Sequence, residues 1–255
     1  MFNVTDNLKK LMNKKTDSVF TEIPKSETIP EQSKEFFSKI YGLDSIKENI
    51  FRVLIAKEQV NVLLIGPPAT SKTLFMMVIQ ERCNDVCYFD AANTSGAGLI
   101  EVLYNHQKMK ILIIDEIDKL KKNDLNSLLG LLNNGKIDKS LKNMNYNFSM
   151  NCKIFATSNS NTKLSKPVRS RFQEYHLPEY SDGEFIEVVK FCLDEKITSI
   201  TAEIISKILL AHERKDVRAA ISVSNLLQRD DTMDDIARVI ETWIKYKSQD
   251  SIDYN

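Results

Sequence analysis

Four apolar residues, Val62 to Ile65, run directly into Gly66-Pro67-Pro68-Ala69-Thr70-Ser71-Lys72-Thr73, and this succession restricts the fold more than any other stretch of the chain. A short apolar run ending at a Gly-Pro turn suits a strand buried on both faces of a parallel sheet. The small residues that follow let backbone N–H groups approach an anion, and a helix starting over Leu74 to Ile79 would offer it a positive N-terminus. The loop fits the pattern G-x-x-x-x-G-K-[ST] with one departure, Ser71 at the second glycine.

Farther along, Ile111-Leu112-Ile113-Ile114-Asp115-Glu116 is a second apolar run, ending in two carboxylates. It predicts another buried strand, one that delivers acids to its C-terminal edge. A glycine-proline turn, or a strand reaching solvent, would be a plainer account of either half alone. Together they point to a nucleoside triphosphate. Lys72 supplies a point charge to the β- and γ-phosphates, while the Thr73 hydroxyl and Asp115 are placed to ligate Mg2+. Glu116, one residue on, points to another side and can polarise a water for in-line attack, which makes the expected site hydrolytic.

GPPATSKT, IIDEIDKL, FATSNS and PVRSRF, in this order and spacing, resemble the AAA+ ATPases over roughly residues 35 to 250. The resemblance implies ATP and Mg2+ as ligands, with Gly66, Pro67, Pro68, Ala69, Thr70, Ser71, Lys72, Thr73 and Leu74 along the nucleotide and Tyr41 and Gly42 cradling the adenine. It makes Asn159 a sensor that orients the attacking water, and an amide suits that role because it both donates and accepts. It makes Arg171 an arginine finger reaching a neighbouring subunit, with Arg169 as the other candidate, since a guanidinium fork matches the charge on a transferring phosphoryl group. Arg218, in Lys215-Asp216-Val217-Arg218, resembles a second sensor on a lid helix, without the glycine that precedes it in many members. The same resemblance implies a homo-oligomeric ring, hexameric in form. Without it, Asn159 is an Asn ending a strand and Arg171 a surface arginine.

Organisation agrees. Strands expected near residues 61 to 65, 86 to 89, 111 to 115, 154 to 158 and 173 to 177, separated by helical stretches, predict an α/β domain with a five-strand parallel sheet. Its ligand site belongs at the strand ends. After Pro178 the pattern turns wholly helical, giving a small all-α lid of about four helices in which Ile240, Trp243 and Ile244 are core. The expected divisions are a polar leader over 1–34, with a possible docking helix at Leu8, Leu11 and Met12, the ATPase core over 35–179, the lid over 180–247 and a frayed tail over 248–255. The chain is expected to be helical from Phe36 through Ala56.

With 255 residues, 42% hydrophobic and 27% charged, the chain can bury a full core. Lys+Arg 35 balances Asp+Glu 35, so no global basic field recruits nucleic acid. The four cysteines, Cys83, Cys87, Cys152 and Cys192, form no C-x-x-C pair, which suits reduced thiols. The N-terminus is too polar for a signal peptide and no run approaches the roughly 18 apolar residues of a membrane span. A cytoplasmic protein without membrane contact is expected.

The client is sought in two loops. Asn93 to Gly98, before a helix expected near Leu99, is uncharged and lacks the aromatic grip of protein-unfolding relatives. Gly135 to Asn147 carries Lys136, Lys139, Lys142 and Tyr146, which suits a phosphodiester backbone with a ring stacked on a base and equally suits a solvated hairpin. The short segment between the second and third strands and the VRSRF box are most similar to RuvB-type Holliday-junction motors and clamp loaders, although the winged-helix domain of RuvB-type proteins is not found after the lid. A DNA motor is therefore the leading expectation. A MoxR-type remodeller of protein complexes, served by a partner or adaptor protein, and a slow ATP-dependent scaffold are the alternatives. Lys72→Ala is expected to abolish nucleotide binding or turnover in a phosphate-release assay; full activity in that variant would remove the phosphate-loop assignment.

Overall fold

The computed structural model describes residues 28–141, 144–160, 162–228 and 231–247. The expected docking helix at Leu8, Leu11 and Met12, most of the leader and the tail from 248 lie outside the described residues. Two compact units part between Pro178 and Glu179.

The first unit opens with helices α1 (Thr28–Phe36) and α2 (Asp44–Ile55). The helix expected from Phe36 through Ala56 is interrupted, because Gly42 and Leu43 both take positive φ (58° and 57°), which no helix accommodates. Then follow β1 (Val62–Ile65), α3 (Lys72–Arg82), β2 (Val86–Asp90), α4 (Gly96–Asn105), β3 (Ile111–Asp115), a 3-10 turn (Ile117–Lys119) and α5 (Lys122–Asn134). A hairpin, β4 (Lys136–Leu141) and β5 (Met144–Ser149), precedes β6 (Lys153–Ser158), the short α6 (Lys166–Arg169) and β7 (Gln173–His176). The five strands read from the sequence form one parallel sheet in the order β2-β3-β6-β1-β7.

Alternation along these strands separates two cores, because successive side chains leave opposite faces of a sheet. Leu63, Ile65, Leu112, Ile114, Ile154 and Ala156 face α4 and α5, packing with Leu99, Leu103, Leu128 and Leu131. Val62, Leu64, Ile111, Ile113 and Phe155 face the other way, onto Phe37, Ile50, Phe75, Met76 and Ile79 of α1 through α3 and the turn between the first two. A sheet covered on both faces leaves its strand ends as the place for polar chemistry.

The segment from Asn93 to Gly98 is shorter as a loop than expected. Ser95 caps α4, its hydroxyl accepting the Gly98 N–H at 3.2 Å, so the helix starts at Gly96. At the far end of α5, Gly135 adopts φ +71°, and a Cβ there would strike the Met150 carbonyl oxygen, so only glycine fits the turn into the hairpin.

The second unit holds α7 (Asp182–Leu193), α8 (Ser199–Ala211), α9 (Val217–Ser224) and α10 (Met233–Lys247). Each of the first three starts at a residue whose side chain satisfies an orphan N–H: Ser181 in a capping box with Glu184, Thr198 on Thr201, and Asp216 on Arg218. Phe185, Val189, Ile205, Leu209, Ala220 and Ile240 are its buried core, with Ile244. Trp243 packs partly buried against it under the Arg214 guanidinium, 5.0 Å from the ring centroid. Among the described residues no helix is long and apolar enough to cross a membrane.

Phe155 lies on a central strand and is fully buried. Phe155→Ala is expected to lower stability by about 4 kcal/mol, the usual scale for emptying a packed aromatic site, seen as an earlier urea midpoint by far-UV circular dichroism.

Candidate nucleotide site

The phosphate loop leaves β1 at Gly66, whose N–H donates to the Ser158 carbonyl of β6 at 3.2 Å. A Cβ at Gly66 would run into the Leu177 carbonyl oxygen, so glycine is required by close approach. Ser71, the departure from the pattern, has φ −68° and ψ 5°, ordinary right-handed backbone that any residue adopts. The left-handed residue of the loop is Ala69, at φ 63°. Serine at 71 is therefore accommodated without backbone strain. Lys72 is buried, and its Nζ donates to the Gly66 carbonyl (2.8 Å), the Pro67 carbonyl (2.6 Å) and Thr70 Oγ1 (3.1 Å), closing the loop around one ammonium. Pro68 and Thr73 are exposed, the latter with Leu74 on the first turn of α3.

Two strands away stands the acidic pair. Asp115 ends β3 and pairs in register beside β2, and both of its oxygens are claimed by hydroxyls: Tyr88 Oη donates to Oδ2 at 2.7 Å, and Thr157 Oγ1 donates to Oδ1. Glu116 takes φ 52°, ψ 45°, a left-handed conformation costly for any side chain with a Cβ, which turns it out of the strand direction. The turn is held by its N–H donating to the same Thr157 Oγ1 at 2.9 Å. The Asn159 amide Nδ2 donates to Glu116 Oε1 at 3.0 Å, so the two residues singled out in separate motifs meet directly.

Asp118 supports this contact and escaped the sequence reading. Buried in the 3-10 turn, it accepts the Asn159 N–H at 3.2 Å and lies 3.0 Å from Ser158 Oγ, with Lys163 Nζ 3.9 Å from its other oxygen. Ser158 Oγ also stands 2.6 Å from the Ser160 carbonyl, and its single proton serves one acceptor at a time. Thr157 and Tyr88 were missed as well. A hydroxyl after an apolar strand core, as in Phe155-Ala156-Thr157, was the only signal for the first, and nothing local marks the second. Burial, then the Asp115 bond, push the Tyr88 phenol well above its ordinary range.

The two arginines differ. Arg169 is committed within its own chain, forking onto Glu174 at 2.7 and 2.6 Å. Arg171 donates from Nη1 to the Pro167 carbonyl, meets no carboxylate among the described salt bridges, and buries an Nε with no hydrogen-bond partner. Tyr41 and Gly42 lie in the turn between α1 and α2, Tyr41 being 38% exposed. Arg218 belongs to the helical unit, on the first turn of α9, largely exposed and 3.4 Å from Asp216.

The proposed base-stacking patch is corrected. Tyr146 is buried, its ring edge-on to Tyr104 at 5.2 Å between centroids, because alternation on β5 turns it inward. Lys139 is drawn down onto α5, bonding Ser127 Oγ at 2.6 Å and lying 3.5 Å from Asp124. Lys136 remains exposed, and Lys142 lies outside the described residues. The four cysteines are free, and burial pushes Cys83 up to about 11 and Cys152 up to about 12, so these thiols stay protonated at neutral pH.

The donor set suits a hard divalent cation. Asp115 offers oriented oxygens and Thr73 a hydroxyl, and among the described residues no cluster of three or more His, Cys, Asp or Glu forms a protein cage. Mg2+ characteristically takes one or two carboxylates and completes its shell with phosphate oxygens and water. Asn159→Ala is expected to keep nucleotide affinity, by titration with a fluorescent analogue, while turnover falls about a hundredfold, the scale of losing an oriented proton-transfer partner.

Residues 62–179 match the family model described as ATPase family associated with various cellular activities (AAA). Among solved structures, the Thermotoga maritima RuvB Holliday junction branch migration motor is similar at TM-score 0.55 and 20% identity, over 83% of this chain and 68% of that chain. A variant of the same protein reaches TM-score 0.59 at 21% identity, over 79% and 69%. Among curated proteins, the DNA replication licensing factor Mcm6 of Drosophila pseudoobscura pseudoobscura is 23% identical over 221 residues, covering 71% of this chain and 27% of that protein. The licensing factor mcm2 of Xenopus tropicalis is 24% identical over 173 residues, covering 52% and 20%. The chain thus spans about a quarter of the length of these curated relatives. The RuvB likeness shows the fold, and residues 62–179, which hold the phosphate loop and the acidic strand, match the AAA ATPase family model.

Proposed function

We propose that this chain hydrolyses ATP as the motor module of an oligomeric ring working on DNA. The observation that carries hydrolysis is the Asn159 amide on the Glu116 carboxylate, beside Asp115 at the strand ends. A carboxylate steered by an amide is an oriented base for water, which nucleotide binding alone does not need. In this reading the backbone N–H groups of Ala69 to Leu74 and the Lys72 ammonium would hold the triphosphate, Gly66, Pro67 and Pro68 shape the loop around it, and Tyr41 and Gly42 meet the adenine. Thr73 and Asp115 would hold Mg2+, which would supply neutralising charge to the triphosphate. Arg171, free of the carboxylate that holds Arg169, is the candidate for a neighbouring copy's site, and Arg218 for the second sensor.

The DNA part rests on what the similar proteins are named for, a Holliday junction motor and DNA replication licensing factors. One observation favours a protein client instead. With Tyr146 inside and Lys139 paired, the exposed positions among the described residues of the hairpin, Lys136 with Asp138, Ser140, Met144, Asn145, Asn147 and Ser149, form a mixed surface.

The deciding experiment is the ATPase rate with and without duplex and four-way-junction DNA, at several protein concentrations. A rate rising with both DNA and concentration, and lost in Arg171→Ala with ATP binding retained, is expected. Concentration-dependent hydrolysis indifferent to DNA would move the reading to a remodeller of protein complexes, and a rate no faster than that of Glu116→Gln to a slow scaffold.

A further inference from the structure

The Asp115 carboxylate is gripped from both sides, and only one of the grips has another duty. Thr157 Oγ1, on β6, donates to Oδ1 while accepting the Glu116 N–H, so it also shapes the backbone of the turn. Tyr88 Oη, on β2, donates to Oδ2 at 2.7 Å. Tyr88 pairs in register with Ile113, two residues before Asp115 on the same face of β3, so the hydroxyl reaches diagonally across the strand pair. Asp90, directly beside Asp115, is otherwise engaged: its oxygens accept the Ala92 N–H at 2.9 Å and the Asn93 amide at 2.7 Å. Tyr88 is 37% exposed at the edge of the sheet, where a ring kept only for packing would need no hydroxyl aimed at a buried carboxylate.

We propose that Tyr88 is a positioning residue for the divalent cation, acting through Asp115. A carboxylate rotates about its last torsion with little resistance, so a donor on each oxygen is needed to fix its plane. One donor leaves the plane free to swing, and two from opposite neighbouring strands fix it. Partners that orient a metal-ligating side chain in this way carry much of the affinity of the site. The proposal rests on Asp115 being the Mg2+ ligand.

Mn2+, read by the electron paramagnetic resonance signal of the free ion, is titrated into the full chain loaded with ADP, for wild type, Tyr88→Phe and Asp115→Asn. Phenylalanine keeps the ring and deletes only the donor. The expected result for Tyr88→Phe is Mn2+ affinity weakened about tenfold, with ADP affinity in chelator unchanged. Mn2+ affinity within twofold of wild type, or tighter, would overturn the positioning role, as would an equal loss of metal-free ADP binding, which marks general damage. Unchanged Mn2+ affinity in Asp115→Asn would instead overturn the assignment of Asp115 and the proposal with it.

Discussion

The site depends on one hydroxyl. Thr157 Oγ1 donates to Asp115 and accepts from the Glu116 N–H, tying the end of β6 to the end of β3 at the point where the chain turns left-handed. A non-glycine residue at positive φ costs on the order of 1 to 3 kcal/mol and persists only where its surroundings insist on it. Here the hydroxyl supplies part of that insistence, and the Asn159 contact to the Glu116 side chain supplies more. The strained residue is also the one proposed to activate water. Strain and proposed role coincide because Glu116 leaves the strand plane that Asp115 keeps.

The scaffold explains why such precision is possible. The inner strands β3, β6 and β1 are buried on both faces, packed between α1 through α3 on one side and α4 and α5 on the other. Side chains at the C-terminal ends of β1, β3 and β6 are then fixed by register, Ile65 beside Ser158 and Ile114 beside Ala156. The helical unit has a core and caps of its own.

Two details show where linear reading met its limit. Ser71 breaks the glycine pattern, yet its backbone is right-handed and the unusual conformation falls at Ala69, so the pattern's glycine is not a conformational necessity here. In the hairpin, Lys139 and Tyr146 looked like a basic aromatic surface because their partners, Asp124, Ser127 and Tyr104, lie well back in the chain. Likewise the sequence offered Arg171 with Arg169 as the other candidate, and only the fold showed that β7 brings Glu174 under Arg169.

The sequence by itself determined the strands, the phosphate loop, the acidic edge and the helical second unit, because hydrophobic period and small-residue turns are local properties of the chain. It did not determine the interruption at Gly42 and Leu43 or the early start of α4, which depend on backbone conformation and capping at single residues. Tertiary structure alone decided which polar groups meet: Asn159 with Glu116, Asp118 with the Ser158-Asn159 turn, and Tyr88 with Asp115. Those contacts join residues 27 to 43 positions apart. They exist because strand order places β2, β3 and β6 side by side, and strand order is set by burial of the whole sheet, which no window of sequence contains.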